Sequence, residues 1–239
     1  MDAETGIEPI TLYRGKHSAD SGQMCALEAV AFVAGEPWSD RPACASEVIG
    51  TFLRSWNDST SDVERQLLVP YVRRMVGTRA GAKIEQARSW MCADWLVRVH
   101  APAWLEAAGL TEQANALREL PEIVGVATLN GAEPAIIDAK ACATTAWKVA
   151  PAARIGLARA EAEAAEAGAA RAAWAAAWVA RAWARDAACD AAWNAARAAW
   201  NAARAAAPGT KAATKATLRD SAFALLDRMI AFTEAENES

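Results

Sequence analysis

Cys25, His17 and His100 are the residues of this sequence best suited to covalent chemistry. In the stretch "HSADSGQMCALEAV", Cys25 stands in the first turn of an expected helix, where the positive end of the helix dipole favours a thiolate. His17 or His100, the 2 histidines of the chain, could serve as its base in a cysteine-dependent hydrolase or transferase. The same residues have a plainer role. Unmodified cysteine is among the most buried residue types and behaves as a small hydrophobe. Packing is therefore favoured over catalysis for Cys25, and a non-catalytic role over an enzymatic one for the chain.

A second group surrounds "GEPWSDRP" and "RSWND": Glu28, Asp40, Arg41, Arg54, Asn57 and Asp58. These flank two consecutive helices and could converge at one end of a bundle as a binding site. Helix capping and ion pairing account for the same residue types, and that account is favoured. No P-loop, dinucleotide fingerprint, CxxC or HExxH pattern occurs. With only 2 histidines, a multi-histidine metal site is excluded within one chain, and neither a metal nor a cofactor is expected.

The third group is a tryptophan–arginine row. Residues 193–206 read "WNAARAAWNAARAA", one heptad written twice. At 3.6 residues per turn, Trp174, Trp178, Cys189, Trp193 and Trp200 share a sector about 100° wide, with Arg197 and Arg204 at its edge and Trp183 outside it. Such a stripe is expected to be an internal seam against the helices of 134–150 and 214–233. The alternative is a surface formed by Trp174, Trp178, Trp193, Arg197, Trp200 and Arg204 that binds a protein partner or a second copy, since Trp and Arg are enriched among interface hot spots. Single-stranded nucleic acid stacking on the rings is an outsider, weakened by Asp186 and Asp190 beside the arginines.

The elements that must position these groups are all helical. Asp20 with Gln23 has capping-box spacing before a helix that ends at Gly35. Ser39 or Asp40 is placed to cap the next, "ACASEVIGTFLRSW", which "NDST" interrupts. Ser61 and Glu64 form a second capping box, Pro70 restarts that segment, and Gly77 ends it. "AKIEQARSWMCADWLVRVH" is expected at the centre of the bundle, with Pro102 its end or a bend. Thr111 is placed to cap "EQANALREL", and "PEIVGVATLNG" reads as a loop or irregular helix. Asn130 with Glu133 repeats the capping-box spacing, with Pro134 in the first turn and a break near Pro151. The alanine-rich run from about 152 to 207 would span about 80 Å as one helix, unless Gly156 and Gly168 interrupt it, and Pro208-Gly209 stops it before a last amphipathic helix.

The expected fold is thus all-α. It comprises an N-terminal arm (1–19), a helical module (20–150), long Ala/Trp-rich helices in a hairpin or bundle with the C-terminal helix (151–233), and an acidic tail (234–239). The 239 residues carry a net charge of −4, which offers no global attraction to nucleic acid or anionic membrane. No apolar signal segment or transmembrane span is apparent. The 5 scattered cysteines read as reduced thiols, so a cytoplasmic location is expected.

The run "MCALEAVAFVAGEPWSDRPACAS" together with "PYVRRMVGT" resembles a family of proteins from actinobacterial and other high-GC bacterial genomes and their phages, over roughly residues 22–120. Where those relatives tend to have Ser-Pro-Val-Ile, this chain has Ser46-Glu47-Val48-Ile49. The resemblance implies a shared helical N-terminal module and carries no activity. The function expected overall is a non-catalytic helical interaction or scaffold protein of bacterial or phage origin, self-associating through the Trp/Arg face.

Overall fold

The computed structural model describes residues 10–149 and 186–233, and its described residues contain helices, turns and loops with no strand. The fold is all-α. Before the first helix, the stretch from residue 10 is docked on the bundle. Leu12 is buried, and the Gln66 side chain clamps its backbone by accepting from Leu12 N–H at 3.0 Å and donating to Leu12 C=O at 2.9 Å.

Helix α1 (Ala26–Ala34) begins later than the Asp20/Gln23 spacing suggests. A turn from Ser18 to Ser21 and a left-handed Gly22 (φ 70°) occupy that region. Cys25 takes the N-cap position, and Gly35 (φ 69°) ends the helix as expected, a conformation that suits a residue without Cβ. Helix α2 (Glu47–Ser59) also starts late, because Ser46 rather than Ser39 or Asp40 is its cap, accepting from Ile49 N–H. The helix runs through Asn57 and Asp58 and breaks within "NDST" as expected, with Thr60 its C-cap.

Ser61 caps α3 (Asp62–Arg65) by accepting from Glu64 N–H, and its hydroxyl donates to the Glu64 carboxylate. A 3-10 turn (Gln66–Leu68) leads into α4 (Val69–Met75), which has Pro70 in its first turn where the missing N–H costs nothing.

Helix α5 (Ala82–Trp95) lies at the centre of the bundle, packed on α2 and on the C-terminal helix. It passes into a π turn (Leu96–His100) and then α6 (Ala101–Ala107). Pro102 therefore neither ends nor breaks the segment. A proline within a helix leaves a carbonyl one turn back without its donor, and the wider π turn directly before it absorbs that mismatch.

Thr111 is the first residue of α7 (Thr111–Arg118) rather than its cap. Residues 121–124 are loop, and α8 (Val126–Val149) then runs continuously through Asn130, Glu133 and Pro134. Its start is stabilised from inside: Thr128 Oγ1 accepts from Val124 N–H and Gly125 N–H and donates to Gly125 C=O. That satisfies the helix end without the expected Asn130 cap. The break expected near Pro151, and the interruptions at Gly156 and Gly168, lie outside the described residues.

Helix α9 (Asp186–Ala205) packs mainly on α8 and further on α6 and the π turn, and α10 (Pro208–Ala231) packs on α5 and α6. Pro208 opens α10 in its first turn, so that helix starts before the amphipathic run predicts. Three cross-helix pairs order α8 against α9. Lys140 Nζ donates to Asn194 Oδ1 at 2.8 Å, Asn201 Nδ2 donates to Thr144 Oγ1 at 2.8 Å, and the Arg204 guanidinium lies 4.2 Å from the centre of the Trp147 ring. Both numberings rise together, so α8 and α9 run parallel.

The faces that meet are built of small residues. On α8, Leu129, Ala132, Ile136, Ala139 and Ala143 are buried at alternating three- and four-residue spacing, the pattern of a coiled-coil seam. On α9 the buried stripe includes Ala195, Ala198, Ala199, Ala202 and Ala203. Among the described residues of α9, alanine therefore lines the seam. Trp200 is half-buried beside it and Arg197 is exposed. Small side chains let the helix axes approach, whereas indole rings at those positions would hold them apart. Ala199→Leu should accordingly cost about 1–3 kcal/mol by overpacking, while Ala141→Leu, on the exposed side of α8, should stay within about 0.5 kcal/mol. Urea unfolding of the two variants checks this, and equal midpoints would contradict the alanine seam.

Candidate functional site

Two of the residues suited to covalent chemistry, Cys25 and His17, meet at one buried carboxylate. Glu28, fully buried in the first turn of α1, accepts from Cys25 N–H at 2.8 Å and from His17 N–H at 2.7 Å, and its Oε2 lies 3.1 Å from His17 Nδ1. The Cys25 sulfur accepts in return from Glu28 N–H. Cys25-x-x-Glu28 is therefore a capping box in which a thiol stands where Ser or Thr is usual. That spacing was present in the sequence, but cysteine is not among the preferred caps.

Asn57 completes the arrangement from α2. Its Oδ1 accepts from Ala26 N–H at 3.2 Å, and its Nδ2 donates to Tyr13 C=O and to Asp58 Oδ1. Asp58 also accepts from Gly15 N–H at 2.9 Å, and the indole N–H of Trp38 donates to His17 C=O at 2.8 Å. Glu28, Asn57 and Asp58 thus cap α1 and pin the preceding arm to it.

This environment withholds what a nucleophile needs. The Cys25 side chain is buried, and burial, with the adjacent Glu28 charge, pushes its thiol up to about 12. The helix dipole that would lower it is outweighed by desolvation. His17 is held by Glu28, and His100 is on a different element, the π turn, beside Trp95. Burial drives His100 down to about 3, and among the described residues neither of its ring nitrogens has a hydrogen-bond partner.

The remaining members of the polar group lie beside this cap. Arg54 donates to Asp40 C=O and to Thr51 Oγ1, while the Asp40 carboxylate is 3.4 Å from Lys16 Nζ. Arg41 and Arg54 help to line a cavity of about 200 Å³ at the start of α2, together with Arg79, which the sequence did not single out. Arg79 reaches it because its N–H donates to Cys44 C=O at 3.0 Å, bringing the α4–α5 connection against the α1–α2 connection. That pairing is non-local and leaves no trace in spacing. Burial and the neighbouring Arg41 hold Arg54 below the ordinary guanidinium range.

In the tryptophan–arginine row, Trp174 and Trp178 lie outside the described residues, and Trp193 lies on α9. Arg204 is stacked on Trp147. Among the described residues no group of three or more His, Cys, Asp or Glu could hold a metal ion, and no helix is long and apolar enough to cross a membrane. No family model, curated protein or solved structure matches the chain.

Two consequences can be measured. Alkylation of the native protein near neutral pH should label the half-buried Cys44 and Cys142 first and leave Cys25 and the buried Cys92 untouched until unfolding. Rapid labelling of Cys25 would instead mark an activated thiol. For His100 the folded state refuses a proton that the unfolded imidazole takes up below about 6.5. Its contribution is therefore neutral above that pH, and stability falls as pH drops from about 6.5 towards 3. Between pH 7 and 5 the loss should be about 2 kcal/mol. Urea unfolding at the two pH values should show that part of the slope disappearing in His100→Phe.

Proposed function

We propose that the protein is a non-catalytic helical interaction protein that self-associates along the exposed edge of α9. The observation that carries this is the fate of the candidate catalytic groups: Cys25 is buried with its thiol held protonated, His17 is bound to Glu28, and His100 is enclosed. Cys25 and His17 are spent on the start of α1, and His100 is buried away from both. Beside them, α9 keeps an exposed Arg197 and a half-buried Trp200 at the rim of its alanine seam. Both are residue types that anchor interfaces. A cysteine-dependent hydrolase or transferase finds no activated thiol here. Single-stranded nucleic-acid binding is weakened because Arg204 already stacks on Trp147.

Sedimentation velocity over a range of micromolar concentrations tests the proposal. Wild type should show a concentration-dependent shift to a dimer or larger species. Arg197→Glu together with Trp200→Ala should sediment as a folded monomer. A wild-type monomer throughout the range would overturn self-association.

A further inference from the structure

The cavity at the start of α2 is lined by Arg41, Arg54 and Arg79. In the rest of the N-terminal module, buried or half-buried arginines are matched by carboxylates: Arg65 by Asp62, Arg88 by Glu85 and Arg98 by Asp94. Arg54 meets only a carbonyl and a hydroxyl, and Arg41 and Arg79 make no ion pair among the described residues. The Asp40 carboxylate is shared with Lys16, and with Asp58 it offsets only part of what burial and Arg41 impose on Arg54. Three arginines therefore line one cavity with a single lining carboxylate, Glu47. Like charges brought together this way repel, and Arg54 registers that repulsion from Arg41. A bound anion would relieve it.

Geometry favours a small, multiply charged oxyanion. The cavity of about 200 Å³ is smaller than the roughly 300–1,000 Å³ of sites for drug-sized ligands. Its other walls, Leu27, Pro42 and Ala45, are apolar and would strengthen charge–charge attraction within it. The guanidiniums come from three separately fixed backbones: the α1–α2 connection, α2 itself, and the α4–α5 connection. Arg41 N–H donates to Ser39 Oγ and Arg79 N–H to Cys44 C=O. A planar fork of donors from each side matches the oxygens of a phosphoryl group better than lysine would. The positive end of α2 lies on the same side.

We propose that this cavity is a phosphoryl-binding site, in which Arg41, Arg54 and Arg79 hold inorganic phosphate or the terminal phosphate of a small monoester. It is a ligand site additional to the α9 edge, and its occupancy does not depend on self-association.

Calorimetric titration of the full chain with inorganic phosphate, at fixed ionic strength against sodium chloride, tests it. Phosphate should bind saturably and chloride should not. Arg41→Gln and Arg79→Gln change exposed residues, so both should fold. Each should weaken binding by about tenfold or more, the loss expected for one charge-assisted hydrogen bond. Glu47→Gln should tighten it. A parallel titration with phenyl phosphate separates the sources: tighter binding than inorganic phosphate supports a monoester terminus, and weaker binding supports the free ion. Absence of saturable phosphate binding would overturn the site, as would unchanged affinity in folded Arg41→Gln and Arg79→Gln.

Discussion

The buried pair of Arg88 and Glu85 is the interaction on which the arrangement of the N-terminal helices depends. Both sit on one face of α5, and Arg88 Nη1 donates to Glu85 Oε1 at 3.0 Å. Neither charge would survive burial on Coulomb attraction alone, because desolvation of two ions offsets most of it. The remaining polar capacity is used on backbone ends. Glu85 Oε2 accepts from Ser46 Oγ and Val48 N–H at the start of α2. Arg88 donates to Thr78 C=O after α4, and to Met229 and Phe232 carbonyls at the end of α10. One ion pair thus closes a helix N-terminus, a connection and a helix C-terminus that are distant in sequence. Burial lowers Arg88 and Glu85 raises it again, so the charged state of the guanidinium is tied to its partner.

The same solution recurs wherever a helix end is buried. Short helices carry many unpaired terminal amides and carbonyls for their length, and α1, α3, α4, α6 and α7 are all short. Glu28 and Asn57 satisfy the start of α1. Arg65 donates to Asn57 and Thr60 carbonyls at the end of α2, and Asp94 accepts from Ile123 N–H ahead of α8. The module is held by side chains that meet backbone across long sequence separations. In such a bundle a charged group that, among the described residues, has neither a counter-charge nor an end to cap stands out, as Arg41 and Arg79 do.

What was legible in the sequence follows from which forces are local. The all-α class, the Gly35 stop, the Ser61–Glu64 box and the Pro70 restart are each decided within a few residues, and the structure contains them. The later starts of α1 and α2 were hidden because three acceptors in a row compete for a cap, and tertiary contacts choose among them. Ser46 wins over Ser39 and Asp40 because Glu85 and Thr78 fix it. Pro102 read as an end or a bend and Pro134 as a first-turn residue, yet both lie inside helical segments, where a preceding π turn or the packing of a long helix can absorb a missing N–H. In the tryptophan row, Trp174 and Trp178 lie outside the described residues and Trp200 is half-buried. The buried stripe of α9 is made by its alanines, whose small side chains let two helices approach closely. Of the polar group, the capping roles of Glu28, Asn57 and Asp58 were legible by residue type. The cavity was not, because it needs Arg79 from an element with no local link to Arg41 or Arg54.

The cavity and the buried ion pair are mechanically connected, which bears on how a ligand would be held. Ser46 lines the cavity and also donates to Glu85. Arg79 follows Thr78, whose carbonyl accepts from Arg88 and whose hydroxyl accepts from Ser46 N–H. Two walls of the cavity are therefore fixed by the same network that orders α2, α5 and α10. The guanidinium of Arg54 is restrained by Asp40 C=O, on the connection that carries Arg41. Groups positioned this way lose little further freedom when an anion arrives, and most of the ordering cost is borne by folding. An oxyanion is the species whose charge and acceptor geometry would suit three arginines held on backbones fixed in this way.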